Sequence, residues 1–333
     1  MEIIDSPAIK NRSSVSAIMF GVVIALIPAL VIQIGYFGYQ ILGNLIFGII
    51  IAMLFEALCL RLRNYPVKNF LMDGSAFLTA WLLIISIPST APFWIITIGI
   101  FFSIVISKHA YGGIGSNPFN PAMIGYAVLL ISFPRIMTDW PNANQFDFNN
   151  YLNLSDLFLL FTAFKSDFDG IVGATPLDGI KTALFLGEDI SAIKTEFIYF
   201  DGFHLMSAFY AVGGLWLIWK KIISWHLPLS LITSMYLFSS FLNFIDPSIY
   251  MSGFFHLFNG ATFLAAFFII TDPVSSPTTL RGKLIFGAMV GIITILIRNY
   301  GGYPDGIAFA VIFMNICVPL IEKFTQPKVF GYE

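Results

Sequence analysis

The fold of this chain is decided by a stretch at residues 73–84, which reads DGSAFLTAWLLI. Residues 259–270 read NGATFLAAFFII and match it position by position, with a shared glycine followed by Phe-Leu-x-Ala. A second echo pairs Tyr-Gly-Gly at residues 111–113 with Tyr-Gly-Gly at residues 300–302. Self-similarity of this kind indicates an internal repeat, so we expect the two halves of the chain to share one structural plan.

The composition of the chain indicates its class. Hydrophobic residues make up 57% of the 333 residues and charged residues only 11%, which is not the composition of a soluble globular domain. We therefore predict an all-α polytopic membrane protein with the lipid bilayer as its surroundings. The net charge of -2 gives no indication of a nucleic-acid partner. Cys59 and Cys317 have no partner at metal spacing, so neither a disulfide framework nor a metal site is predicted.

The hydrophobic pattern predicts ten membrane spans, of which the first is clearly long enough to cross the bilayer. In chain order they lie at about 15–34, 36–60, 70–87 and 92–106, then a fifth ending near 133, and then 203–219, 227–244, 254–271, 284–297 and 307–321. This pattern predicts a first five-helix repeat at 1–134, an extracytoplasmic segment at 135–202, and a second five-helix repeat with a short cytoplasmic C-terminus at 203–333.

Basic residues predict the orientation of these spans. A cytoplasmic N-terminus and an even number of spans place 12 of the 17 Lys and Arg residues on the cytoplasmic side. The segment 136–201 carries ten acidic residues against three lysines and is then extracytoplasmic. Because each half holds five spans, the halves must be inverted across the membrane. Inverted repeats with segments broken by Gly and Pro, here 112–121 and 301–306, place binding sites near the bilayer midplane.

The long polar segment contains a tight turn at residues 169–177, which read DGIVGATPL. The residues before Thr175 have small side chains or none, and Pro176 fixes the φ angle directly after it. The Thr175 hydroxyl is therefore expected to be accessible to a large group. The same residue types also occur in ordinary turns.

Carboxylates within the apolar segments are candidates for ion handling, because a charge inside a span costs about 2.5–3.5 kcal/mol even on insertion scales. Glu56 lies inside the second predicted span, whereas Asp73, Asp272 and Asp305 lie near span ends or in a broken segment. Helix capping explains the last three equally well.

Several longer motifs carry a resemblance to a known family. They are GIGSNPFNPAMIGY at 113–126, GATPL at 173–177, FNGAT at 258–262, TDPVSSP at 271–277 and GGYPDGIAFA at 301–310. With these motifs in this order, essentially the whole chain resembles RnfD, a membrane component of the Rnf ion-translocating ferredoxin:NAD oxidoreductase complex. RnfD is similar in turn to NqrB, the corresponding component of the sodium-translocating NADH:quinone reductase.

The resemblance implies a covalent flavin. In the family, FMN is joined through its phosphate to a threonine in an Asp-x-x-Ser/Thr-Gly-Ala-Thr pattern, which here runs from Asp169 through Gly173 and Ala174 to Thr175, followed by Pro176. A separate flavin transferase attaches it outside the membrane. Val172 stands where the family has Ser or Thr, which leaves the acceptor intact but weakens the pattern.

The resemblance also implies partners and a mechanism. The chain is expected to be an electron-transfer subunit of a redox-driven Na⁺ or H⁺ pump in the bacterial inner membrane, with no catalytic residues of its own. Its partners are a periplasmic flavin subunit and membrane iron-sulfur subunits. Glu56, Asp73, Asp272 and Asp305 are candidates for coupling. The sodium-pump relative also holds riboflavin, and the candidate residues for it here are Gly112, Gly113, Asn117, Asn120, Gly301 and Gly302.

Two other interpretations stay open. An inverted five-span plan also suits a channel or secondary transporter with no redox role, which the absence of bound flavin would favour. The chain is also compatible with the quinone-reductase component itself, although that relative usually carries a longer N-terminal extension before its first span.

Overall fold

The computed structural model describes residues 15–141, 172–187 and 201–327. In chain order its helices are α1 (Val15–Phe37), α2 (Gln40–Leu62), α3 (Val67–Leu71), α4 (Ser75–Ser86), α5 (Phe93–Phe101), α6 (Pro121–Ser132), α7 (Pro134–Thr138), α8 (Pro176–Phe185), α9 (Asp201–Trp219), α10 (His226–Ile245), α11 (Gly253–Phe258), α12 (Thr262–Leu264), α13 (Leu280–Tyr300) and α14 (Ile307–Thr325). Two π-helical stretches, Phe102–His109 and Ala265–Ile269, continue α5 and α12. The strands β1 (Trp140–Pro141) and β2 (Val172–Gly173) pair antiparallel.

The structure confirms an all-α polytopic membrane protein. Within the described residues, α1, α2, α9, α10, α13 and α14 are long and apolar enough to cross a membrane alone. Three of the other four predicted spans contain shorter apolar helices, at Ser75–Ser86, Phe93–His109 and Pro121–Ser132. The outer face of α2 shows why lipid is the natural surroundings. Its exposed large hydrophobic residues recur every fourth position, at Ile46, Ile50, Leu54, Leu58 and Leu62, so one apolar stripe of the helix faces away from the bundle.

Two predicted spans are not continuous helices, so that detail of the prediction is wrong. The span predicted at 70–87 is interrupted between α3 and α4 at Gly74, whose φ is +80°. The span predicted at 254–271 is interrupted between α11 and α12 near Gly260, whose φ is +77°. A left-handed backbone cannot continue a right-handed helix, and glycine adopts it without steric cost. Both breaks fall at matching positions of the repeated stretch.

The order of elements recurs in the two halves. Two long helices, a short helix, a break and a short apolar helix are followed by two further apolar helices, first as α1 to α6 and then as α9 to α14. Small residues let α10 and α13 approach closely, since Gly287 and Gly291 lie against Ser230 and Ser234. Residues from both halves share one buried core, in which Leu26, Ile41, Leu83, Ile95 and Phe286 are at most 1% exposed.

Candidate functional site

Thr175 lies between a short strand and a helix. The strand β2 pairs with β1, with Gly173 opposite Trp140. Thr175 is the N-cap of the ten-residue α8, and its Oγ1 accepts a hydrogen bond from the backbone N of Asp178 at 3.3 Å. Pro176 occupies the first helical position, where its missing N–H costs nothing. The Thr175 hydroxyl is therefore held, partly exposed, at the N-terminus of a helix.

One lysine connects α8 to the last turn of α13 and to the loop that follows it. Lys181 Nζ donates to the carbonyl oxygens of Arg298 at 3.2 Å and Tyr303 at 2.7 Å. Burial lowers the pKa of Lys181, and the nearby Asp178 carboxylate opposes that shift. Burial likewise raises the pKa of Asp178, opposed by Lys181. A small apolar cluster completes the attachment of α8 and consists of Leu177, Ile180, Met251 and Phe255.

A cavity opens beside Thr175, and we call it the Thr175 cavity. Its empty volume is about 740 Å³ counting its open mouth. Its wall includes the aromatic side chains of Tyr126, Trp140 and Tyr210, and Asp305 contributes a carboxylate. The Tyr210 hydroxyl is buried and has no hydrogen-bond partner within the part of the chain that the structure describes. The cavity thus combines a mostly apolar lining with a few polar groups, as ligand sites do.

An ion pair between Arg298 and Asp305 bridges the helix break near this cavity. Arg298 Nη1 donates to the carbonyl oxygen of His256 before the break at 2.7 Å, and Nη2 donates to Thr262 Oγ1 after it at 3.1 Å. Arg298 Nε donates to Asp305 Oδ1 at 3.2 Å. The other carboxylate oxygen of Asp305 accepts from the backbone N of Ala261 at 3.0 Å. The pair therefore holds the two sides of the break together.

Gly260 is the point where the turn, the break and the ion pair meet. A Cβ built on Gly260 would lie 2.6 Å from Arg298 Nη2, 2.6 Å from Leu177 Cδ1 and 2.7 Å from Asp305 Oδ2. Because such separations are well below van der Waals contact, only a residue without a side chain fits between these groups. Gly260 is therefore packed closely between the ion pair and Leu177 of α8.

A second buried charge cluster surrounds Glu56. Lys108 Nζ lies 2.8 Å from Glu56 Oε1 and donates to Ser75 Oγ at 2.7 Å. The Ser75 hydroxyl in turn donates to Asp73 Oδ1. His109 Nε2 lies 2.9 Å from the second oxygen of Glu56, without the angles of a good hydrogen bond, so this contact is electrostatic and depends on protonation of His109. Glu56, Lys108 and His109 are at most 7% exposed, so each charge depends on its partners.

A further cavity adjoins this cluster, and we call it the Lys108 cavity. Its empty volume is about 920 Å³ counting its open mouth, and Lys108, Asn117, Asn120 and Asp272 lie in its wall. Asn120 Oδ1 caps α6 by accepting from the backbone N of Met123 at 3.3 Å. Its Nδ2 donates to the carbonyl oxygen of Ile269 at 3.2 Å. Asn120 thereby joins the two halves of the chain at this cavity.

The two cavities lie at opposite ends of α9. Phe203, near its first residue, lines the Thr175 cavity, whereas Ile222 and Ile223, just beyond its last residue, line the Lys108 cavity. A helix of 19 residues is about 28 Å long. Each repeat therefore brings its helix break and a buried cation to a different end of the bundle, which is the arrangement that inverted repeats produce.

The structure separates the residues proposed for a second flavin. Asn117 and Asn120 line the Lys108 cavity, and Gly112 and Gly113 form the adjacent turn, in which Gly113 N donates to the Lys108 carbonyl oxygen at 3.0 Å. Gly301 and Gly302 instead line an open depression beside Lys181 and Arg298. Of the carboxylates, Glu56, Asp73 and Asp272 belong to the Lys108 end, and Asp305 to the Thr175 end.

Several residues of both sites enter the sequence prediction only as charges in the count of basic residues. Lys108 and Arg298 serve there only to orient the spans, yet both are buried and paired. One signal was available, because His109 and Arg298 each stand two residues before a repeated Tyr-Gly-Gly. Asp169 lies outside the described residues.

Comparison with known proteins identifies the family. Residues 2–331 match the NQR2, RnfD, RnfE family. The chain belongs to this family. It is similar, at 44% identity, to a protein of Vibrio vulnificus named as the D component of an ion-translocating oxidoreductase complex, with 99% of each chain covered. Proteins of the same name from Yersinia enterocolitica and Sodalis glossinidius are 44% and 42% identical, with at least 99% of each chain covered.

Membership of the NQR2, RnfD, RnfE family covers both sites. The match runs through both halves and through the Thr175 turn, so neither cavity lies outside the shared region. The chain is accordingly a multi-pass membrane protein of this family whose described residues place the two cavities at opposite ends of the bundle.

Proposed function

We propose that this chain is a membrane subunit of an ion-translocating oxidoreductase complex and that it carries electrons on FMN joined through its phosphate to Thr175. Relatives that match over their full length and are named as the D component of such a complex support the first part. The observation that carries the second part is the position of Thr175, whose hydroxyl lies at a helix N-terminus beside an aromatic cavity.

The surroundings of Thr175 suit a phosphate group. The N-terminus of a helix presents free backbone N–H groups and a partial positive charge, both of which stabilise an anion. The only hydrogen bond of Thr175 Oγ1 within the described residues is the one that it accepts from Asp178 N. Gly173 and Ala174, which precede the hydroxyl, are small, and Ala174 is exposed. A phosphoester at Oγ1 would therefore replace a weak capping hydrogen bond with a negative charge that the helix N-terminus stabilises.

The Thr175 cavity suits a flat ring system. Tyr126, Trp140 and Tyr210 offer apolar faces, and the buried Tyr210 hydroxyl offers a donor or acceptor. FMN supplies one- and two-electron chemistry when bound, while the protein supplies position, exclusion of water and electrostatics. Lys181 and the apolar cluster of α8 would hold the attachment point in place.

We further propose that the Lys108 cavity holds the second flavin, riboflavin, between Asn117 and Asn120 on one side and Asp272 on the other. Side-chain amides and carboxylates match the hydrogen-bonding edge of a flavin ring and its ribityl hydroxyls. Glu56, next to this cavity through Lys108, would respond electrostatically to reduction of the flavin and so couple electron flow to Na⁺ or H⁺ movement.

The proposed partners follow from this function. They are a periplasmic flavin subunit, membrane iron-sulfur subunits and a flavin transferase for maturation, in the inner membrane of a bacterium, and the complex reaction would be ferredoxin:NAD oxidoreduction. The Thr175 end would then face the periplasm, where the transferase acts, and both termini would be cytoplasmic. The positive-inside distribution of Lys and Arg supports this orientation.

Intact mass spectrometry tests the proposal. The full chain is expressed with a flavin transferase, purified and denatured, and its mass and in-gel flavin fluorescence are compared with those of Thr175→Ala. We expect the mass of one FMN on the wild type and none on the variant. Thr182→Ala is the matched control, because Thr182 is an exposed threonine on the same helix. An unmodified wild type would reject the covalent flavin and favour a transporter.

A further inference from the structure

The Arg298–Asp305 ion pair has no part in attaching a flavin, yet it lies at the Thr175 cavity. Asp305 lines that cavity together with Thr175, and Arg298 has only 1% of its side chain exposed. Two sets of contacts lead from the pair to the attachment turn. Asp305 bonds to the backbone beside Gly260, on which Leu177 of α8 packs, and Lys181 of α8 bonds to the Arg298 carbonyl oxygen.

We propose that the Arg298–Asp305 ion pair is a positioning and tuning device that sets the reduction potential of the flavin on Thr175. This rests on the proposed function, since it requires FMN at that residue. Asp305 contributes a negative charge to the wall of the cavity. Its partner Arg298 contributes a positive charge of fixed position to the structure that supports this wall. Their balance determines how readily the ring accepts negative charge.

The physical argument is electrostatic. Reduction of a flavin by two electrons with uptake of one proton adds one negative charge to the ring. A buried cation stabilises that charge and a carboxylate opposes it, and at an effective dielectric constant of about 20 a unit charge within about 12 Å changes the equilibrium about tenfold. With both partners present the two effects largely cancel. Removal of either one leaves the other unbalanced at the cavity.

The direction in which the reduction potential shifts distinguishes electrostatic tuning from a purely structural role of the pair. If the pair only held the helix break, loss of either partner would disturb the flavin in the same direction. Under the proposal, Arg298→Gln disfavours reduction and Asp305→Asn favours it. Each should shift the equilibrium between oxidised and reduced flavin about tenfold, or about 30 mV for a two-electron couple. Arg298→Lys, which keeps the charge, should stay close to the wild type.

The test is a redox titration of the purified, flavinylated full chain, with dithionite as reductant and flavin absorbance as readout. The double variant Arg298→Gln/Asp305→Asn is the matched control, because it removes both charges and should return the potential towards that of the wild type. Asp305→Asn is the variant that best keeps the fold, since its amide oxygen still accepts from the backbone N of Ala261. If the Arg298→Gln protein does not accumulate, the direction of the potential shift in Asp305→Asn tests the proposal by itself.

The outcomes distinguish this inference from the proposed function. Mass and fluorescence are measured on every variant first, and a wild type without FMN rejects the proposed function. Flavinylated variants whose potentials do not move, or move in the same direction for both single variants, overturn the inference and leave the covalent flavin intact.

Discussion

Replacing Gly260 by alanine tests whether the Thr175 turn, the helix break and the Arg298–Asp305 pair form one rigid unit. The new methyl group would meet atoms of Arg298, Leu177 and Asp305 at 2.6–2.7 Å. All three must move, or the backbone at Gly260 must leave its φ of +77°. Movement of the Arg298 or Asp305 side chain separates the two charges, whereas movement of the backbone separates α8 from the pair.

The cost has two parts. A left-handed backbone costs a residue with a Cβ roughly 1–2 kcal/mol. Separation of a buried ion pair costs about 3–5 kcal/mol when one charge is left unpaired, and the lower end applies because Asp305 has 17% of its side chain exposed. The end of the Leu177 side chain can rotate away from the new methyl group, so this contact adds little to the free-energy cost. We therefore expect Gly260→Ala to destabilise the chain by about 4 kcal/mol.

The assay is thermal unfolding of the full chain in detergent, with Gly115→Ala as the matched control. Gly115 also has a left-handed backbone, with φ of +87°, but a Cβ there would meet nothing within 4 Å. The control isolates the backbone cost of roughly 1–2 kcal/mol. Gly260→Ala should melt several degrees below it, since 1 kcal/mol shifts Tm by about 2–4 °C in proteins of 150–250 residues. Equal melting temperatures would refute the reasoning, because the contacts at Gly260 would then carry no energy.

Two further predictions concern charged groups. Glu56→Gln leaves Lys108 buried without its carboxylate and should cost about 3–5 kcal/mol; the double variant Glu56→Gln/Lys108→Met should recover part of the lost Tm, and a single variant as stable as the wild type contradicts the pairing. Asp178 has a raised pKa because of burial, so the stability of the wild type should fall as pH rises from the usual value of 3.8 through the raised pKa. The Tm advantage of Asp178→Asn should grow over that window, and parallel pH profiles would contradict the shift.

Much of the fold could be predicted because the signals are local. Apolar length reports membrane spans, and the repeat is visible as matching letters at 73–84 and 259–270. The glycine breaks were not predicted, although Gly74 and Gly260 lie in the repeat itself. An isolated glycine in an apolar run is compatible with a continuous helix, and only the surrounding contacts select the left-handed backbone.

The partners of the charged residues could not be predicted, because they are distant in the chain. Lys108 and Glu56 are 52 residues apart, and Arg298 reaches His256 across 42 residues. Nothing in the sequence near either cation specifies such a pairing. Their burial was also unexpected, since a basic residue at the end of an apolar helix usually faces the membrane surface.

The sequence by itself determined the class of this protein, its ten apolar segments, its repeat and its family, because composition and spacing carry that information along the chain. Only the tertiary structure decided that Thr175 shares a cavity with Asp305 and that Gly260 lies between α8 and the ion pair. The physical reason is that these groups meet only when the two halves of the chain pack together. The free energy that pairs a buried charge depends on atoms brought close by the fold and not on neighbours in sequence.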